Sequence, residues 1–199
     1  MASPQSERLK VLGAGVIGLV LMLGVARFSY TPLLPLMQQQ AGLGVAEGGW
    51  LAAINYMGYL SGAVIASLIS DIVLKDRLYR LGLVLALLTT VGMALTDSLW
   101  LWAVMRFLAG LSSAAGLLLG SGLVLHWLIR HDHRSELGIH FAGIGLGIAF
   151  CAVAVEWMHP TFDWREQWVL LTFMGALMAI PAWVWLPRPQ VRSMTRDGV

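Results

Sequence analysis

Arg27 and Arg106 are the residues best equipped for chemistry, because each interrupts a long run of apolar side chains. The run Val11–Ala26, directly before Arg27, carries no charge. A guanidinium keeps its charge and presents a planar fork of donors that fits a carboxylate or phosphate with parallel hydrogen bonds. Two such groups facing one cavity, with no acid between them, would suit an anionic ligand. The competing reading is structural: each arginine bonds backbone carbonyls or stretches outward to water.

The neighbours of these arginines are polar and conformationally unusual. Arg27-Phe-Ser-Tyr-Thr-Pro-Leu-Leu-Pro35 combines a charge, the hydroxyls of Ser29, Tyr30 and Thr31, and two helix breakers. Pro32 and Pro35 each remove a backbone donor and favour a kink. Asn55 and Tyr59 share one face by helical spacing. With Tyr56, Ser112 and Ser113 they could add polar contacts, although packing with an interfacial hydroxyl suits the tyrosines equally. His131-Asp132-His133 is a tight triplet without a second ligand set, so no metal is expected there. No phosphate-binding loop, nucleophile elbow or zinc-protease motif occurs, and the apolar runs hold no catalytic pair. Neither an enzyme nor a cofactor is expected. Cys151 is the single cysteine, so an intrachain disulfide is excluded.

The elements that must position these residues are bilayer-spanning helices. The chain is 58% hydrophobic and 12% charged, with a mean hydropathy of +0.74. A run of about 18 or more apolar residues crosses the hydrocarbon core as a helix. Spans are expected at about Lys10–Met37, Gly49–Ser70, Leu78–Thr96, Leu99–Leu128, Leu137–Met158 and Trp168–Leu186, forming one six-helix transmembrane domain over residues 1–199. The fold class is all-α. Arg8 and Lys10 before the first run resemble a signal peptide, but no small-residue cleavage site ends it, so an uncleaved first span is expected.

The loop charges fix an expected orientation. One side holds Arg8, Lys10, Lys75, Arg77, Arg80, Arg130, Arg134, Arg188, Arg192 and Arg196, whereas the other holds only Arg165. The positive-inside rule then puts both termini in the cytoplasm. This asymmetry also accounts for the net charge of +2 without a nucleic-acid partner. Tryptophans near both ends of the spans fit aromatic belts at the two interfaces. Arg27 lies roughly 25 Å along the first span, and Arg106 roughly 10 Å from the outer end of the antiparallel fourth span. Both therefore fall at a similar depth in the outer half of the bilayer, where a charge by default marks a pathway or a site. Glu156 near the outer end of span five and Asp71 near the inner end of span two lie at other depths.

Glycines four apart recur at Gly58 and Gly62, Gly116 and Gly120, and Gly143 and Gly147. Such pairs let helix backbones approach closely in lipid. The small-residue faces of spans two and five are expected to be exposed and to form an assembly seam, with Gly147 on it.

Six spans with a charged loop after the second, and Arg106-Phe-Leu-Ala-Gly110 in the fourth, resemble the amino-terminal half of a major facilitator superfamily transporter. Ala26-Arg-Phe-Ser-Tyr-Thr-Pro-Leu-Leu-Pro-Leu-Met37 and Gly49-Trp-Leu-Ala-Ala-Ile-Asn-Tyr-Met-Gly-Tyr-Leu-Ser-Gly62 resemble its YbfB/YjiJ-type branch more narrowly. The resemblance covers essentially the whole chain. It implies two inverted three-helix repeats, spans one and four lining a central cavity, and spans two and five against a second half. It implies a multi-pass protein of the inner membrane moving a small organic solute. Substrate contacts would fall to Arg27, Tyr30, Asn55, Tyr59 and Arg106. The family's loop after span two reads Gly-x-x-x-Asp-Arg/Lys-x-Gly. Here Ser67 replaces the glycine, Asp71 matches the acid, Ile72 replaces the base, and Lys75 and Arg77 stand out of register. A gating role for Asp71, Lys75 and Arg77 is implied by the resemblance alone. Gly143, Gly145 and Gly147 keep the glycines of the antiporter fifth span without its proline, which argues against drug/proton antiport. The partners expected are the lipid bilayer, a small-molecule substrate, and either a second copy or a separate six-span half. A non-transporting subunit that scaffolds another protein is the alternative.

Overall fold

The computed structural model describes residues 3–135 and 137–190, so Arg192 and Arg196 of the loop-charge count lie outside the described residues. Among the described residues six helices are long and apolar enough to cross a membrane: α1 Pro4–Gln40, α2 Val45–Leu68, α3 Ile72–Ala94, α4 Leu99–Arg130, α5 Gly138–Met158 and α6 Trp164–Val184. Helix α1 starts ahead of its apolar run because the Ser3 side chain accepts from Ser6 N at 3.3 Å and Pro4 occupies the first turn. Those residues suit a helix start, since a capping oxygen meets an orphan N–H and proline lacks one.

Helix α1 is the most enclosed of the six and touches α5, α6 and α4. Helix α2 packs chiefly on α4, and α3 packs between α4 and α6. Exchanging α1–α3 with α4–α6 turns the α1/α5 contact into the α4/α2 contact, as inverted repeats require. Glycine closes both crossings. A Cβ on Gly24 would stand 2.9 Å from the Gly147 Cα, and one on Gly110 would stand 2.2 Å from the Asn55 carbonyl oxygen. Both α1 and α4 also widen into π-helix, at Val20–Phe28 and Ala115–Leu119.

The glycine pairs are therefore consumed inside the bundle. Gly143 abuts Val16, Gly147 abuts Gly24, Gly58 abuts Phe107 and Gly62 abuts Ala114. This corrects the expectation of an exposed small-residue seam through Gly147. What α2 and α5 turn outward includes large apolar side chains, Met57, Leu60 and Val64 on one and Leu146, Val153 and Trp157 on the other, with small residues such as Ala142, Gly145 and Ala149 between them on α5. The physical reason is that closest approach is needed where the six helices cross one another, and there is no hydrophobic drive in lipid to replace it.

The end of the bundle opposite Ser3 and Gln190 is tied by polar contacts. Trp164 N donates to Gln40 Oε1 at 2.9 Å, joining α6 to α1. Arg165 pairs with Asp97 at 2.6 Å and also donates to the Ala94 carbonyl. Asp163 and Glu166 form a reciprocal cap at the start of α6.

Candidate functional site

The cluster around Arg27 and Arg106 begins with a disturbed helix. Pro32 has no N–H to offer the Phe28 carbonyl one turn back. Just before it, π-helix runs to Phe28, Ser29 N reaches Gly24 O at 3.0 Å, and the Ser29 hydroxyl donates to the Val25 carbonyl. Irregular backbone of this kind persists at membrane depth only where neighbouring groups satisfy it. Helix α4 supplies one: Arg106 Nη1 donates to the Arg27 carbonyl at 3.3 Å. Further along, the Ser113 hydroxyl reaches the Met22 carbonyl at 3.0 Å.

Arg106 is buried, with 4% of its surface exposed. Its Cζ lies 4.2 Å from the centre of the Tyr30 ring. Tyr30 is buried beneath it, and its hydroxyl donates to the Gly48 carbonyl at 2.8 Å, linking α1 to the start of α2. Asn55, also buried, donates from Nδ2 to the Arg106 carbonyl at 2.8 Å. Tyr30, Asn55 and Arg106 thus spend hydrogen bonds on holding α1, α2 and α4 together. Among the described residues the Nε of Arg106 has no hydrogen-bond partner.

Arg27 is arranged differently. Its side chain is half-buried and lies against aromatic rings, with Cζ 4.6 Å from Tyr59, 4.8 Å from Tyr56 and 5.4 Å from Phe28. Each face-on contact of a cation with an aromatic ring is worth about 0.5–1 kcal/mol where exposed and ~2 kcal/mol where dry. The rings steer the guanidinium without using its N–H groups. Arg106 is the neighbour of Arg27 across the α1/α4 contact, bonded to the Arg27 carbonyl. Among the described residues no carboxylate pairs with either arginine. Two cations and unspent donors, without a counter-charge, make a place where an anion gains both charge and hydrogen bonds.

All five residues expected to touch substrate, Arg27, Tyr30, Asn55, Tyr59 and Arg106, meet in this cluster. Tyr56 belongs beside them, and its place three residues before Tyr59 was a readable signal of a shared face.

The charged residues after α2 divide otherwise. Asp71 caps α3, its Oδ1 accepting from Val73 N at 2.9 Å, while Lys75 is half-buried and Arg77 exposed. The buried charges are Asp76 and Arg80, paired at 3.1 Å, with Arg188 Nη1 3.7 Å from Asp76. Arg80 also donates to the carbonyls of Trp183 at 2.7 Å and Leu186 at 2.8 Å, fastening the end of α6. Sequence reasoning missed this pair. Its signals were the four-residue spacing and the Asp76-Arg77 step, which fits the Asp-Arg pattern better than Asp71-Ile72.

A family model for the uncharacterised MFS-type transporter YbfB matches residues 19–198. The chain belongs to this family. This MFS chain is 27% identical over 84% of its length to an uncharacterized transporter, mfc1, of Schizosaccharomyces pombe. It is 24% identical over 93% of its length to the inner membrane transport protein YdhP of Escherichia coli, and 27% identical over 88% to the niacin transporter NiaP of Acinetobacter baylyi. It spans 34%, 48% and 38% of those relatives' own lengths, respectively. It is a multi-pass membrane protein of a family that transports small solutes.

Proposed function

We propose that this MFS chain contributes one six-helix half to a secondary transporter for a small organic anion. The observation that carries the reading is Arg27, a half-buried cation at membrane depth whose surroundings are aromatic rings and a second arginine rather than an acid. A charge in that position is costly unless a ligand, water or a partner compensates it. Arg27 and Tyr59 meet the ligand, while Arg106, Tyr30 and Asn55 hold the geometry and Arg106 adds positive field. Niacin, named for the relative NiaP, is a carboxylic acid and fits the same chemistry. The outward apolar faces of α2 and α5 receive a second six-helix unit, either a second copy or a separate half. The protein sits in the inner membrane with both termini cytoplasmic, an orientation supported by the loop charges. Asp71, Lys75 and Arg77 lie on the segment that shifts between states, and Asp76 with Arg80 latches it to α6.

Proteoliposome exchange tests this reading. Counterflow of radiolabelled small carboxylates, lost in Arg27→Ala and partly kept in Arg27→Lys, is the expected result. A chain that reconstitutes with native helicity and carries no carboxylate would instead favour the scaffolding role.

A further inference from the structure

A second concentration of cations lies at the end of the bundle that carries Ser3 and Gln190, away from Arg27 and Arg106. The last turns of α4 and the segment after α6 enclose a pocket of about 310 Å³. His126, Arg130, His131 and Arg188 line it, and among the described residues no carboxylate does. The floor is built. His131 Nδ1 is bonded to the Trp127 carbonyl at 2.9 Å, and its ring stacks on Trp127 at 4.2 Å with 20° between planes. Arg130 Nη1 donates to the Gln190 carbonyl at 3.2 Å, which holds the far wall while leaving the other guanidinium nitrogens free to donate. Arg188 lines the same pocket and stands 3.7 Å from Asp76 through Nη1.

The negative end of the α4 dipole would normally repel an anion here. The carbonyls of Trp127 and Leu128 are taken by His131 N and His133 N, and the guanidiniums of Arg130 and Arg188 stand against what remains. The partly exposed Trp183 and Trp185 lie at this end, and Trp185 lines the adjoining hollow with Trp127. Half-exposed tryptophans mark the level of the lipid head groups. A basic pocket between helices at that level has the chemistry for a phosphate head group.

We propose that this pocket binds a phosphate group, carried by an acidic phospholipid or by a soluble phosphate. The fork of Arg130 takes two phosphate oxygens, Arg188 closes from the segment after α6, and His126 adds a donor from the α4 wall. Occupancy would clamp the end of α4 to that segment, next to the Asp76–Arg80 latch.

The test uses the full chain in nanodiscs of phosphatidylethanolamine, alone or with phosphatidylglycerol or cardiolipin, followed by native mass spectrometry of retained lipid. The soluble arm adds inorganic phosphate or glycerol 3-phosphate. Retention of acidic lipid over phosphatidylethanolamine by about tenfold or more, lost in the Arg130→Gln/Arg188→Gln double variant, supports a lipid ligand. Displacement of acidic lipid by millimolar glycerol 3-phosphate, with the same loss in the double variant, supports a soluble one. Lys75→Gln, at the same end but outside the pocket, should retain lipid as the unsubstituted chain does, and Arg130→Gln alone guards against misfolding of the double variant. Equal retention of acidic and zwitterionic lipid, or equal losses in Lys75→Gln and Arg130→Gln, would overturn the proposal.

Discussion

Gly110→Ala should break the α2/α4 crossing. Its new methyl would stand 2.2 Å from the Asn55 carbonyl oxygen and 2.6 Å from the Tyr59 nitrogen. Both are backbone atoms, so no side chain can swing aside. Ordinary contact begins near 3.4 Å, and the helices must part by about 1.2 Å. That movement stretches the 2.8 Å bond from Asn55 to the Arg106 carbonyl beyond hydrogen-bonding range. Overpacking costs about 1–3 kcal/mol and the lost bond about 0.5–1.5 kcal/mol. Alanine's better helix propensity returns up to about 1 kcal/mol. The net is a destabilisation of about 0.5–4.5 kcal/mol, which for a chain of this size lowers Tm by about 1–18 °C. Thermal melting of purified protein in mild detergent measures it. Gly145→Ala is the control, because a Cβ there meets nothing within 4 Å and only propensity changes. Equal melting of Gly110→Ala and Gly145→Ala would refute the idea that backbone contact at Gly110 sets the α2/α4 distance.

Gly147→Leu should lower thermal stability by several degrees without a specific effect on association, since Gly147 abuts Gly24 within the bundle; crosslinking yield at constant fold distinguishes the two. Asp76→Leu should destabilise by about 3–5 kcal/mol, because it strands buried Arg80, and Asp76→Leu with Arg80→Met should recover much of the loss in the same melting assay. Cysteines at Ser135 and Thr161 should label from opposite membrane faces with an impermeant maleimide, the first only after cytoplasmic access; labelling of both from outside would contradict the topology. Native Cys151, 1% exposed, should contribute no background until the protein is unfolded.

Hydropathy found the six helices because the bilayer leaves a helix as the only economical path for each apolar run. It missed the first turn of α1, where a serine cap and a proline act without any apolar signal. Opposed span directions and residue counts sufficed to bring Arg27 near Arg106. Spacing could not tell which donors are already spent: the bonds of Tyr30 to Gly48 and of Asn55 to Arg106 depend on how α1, α2 and α4 cross. The glycine pairs carried the same ambiguity, since a close-approach face reads alike whether its partner is within the chain or in another. Asp76 and Arg80 were legible as a helical pair, but their burial comes from α6, more than a hundred residues away.

The central claim is an anion site at Arg27, and ligand-dependent thermal shift with nicotinate against its neutral amide, nicotinamide, tests it most directly, within a panel of small carboxylates each paired with its amide. At 100 times its dissociation constant a ligand stabilises by about 2.7 kcal/mol. At least one carboxylate should raise the melting temperature while its amide does not. Arg27→Ala should remove the shift yet melt within a few degrees of the unsubstituted chain, and Arg27→Lys should keep part of it, because the charge stays and the planar fork is lost. No shift with any carboxylate, together with unfolding of Arg27→Ala, would make Arg27 a structural residue and contradict the account.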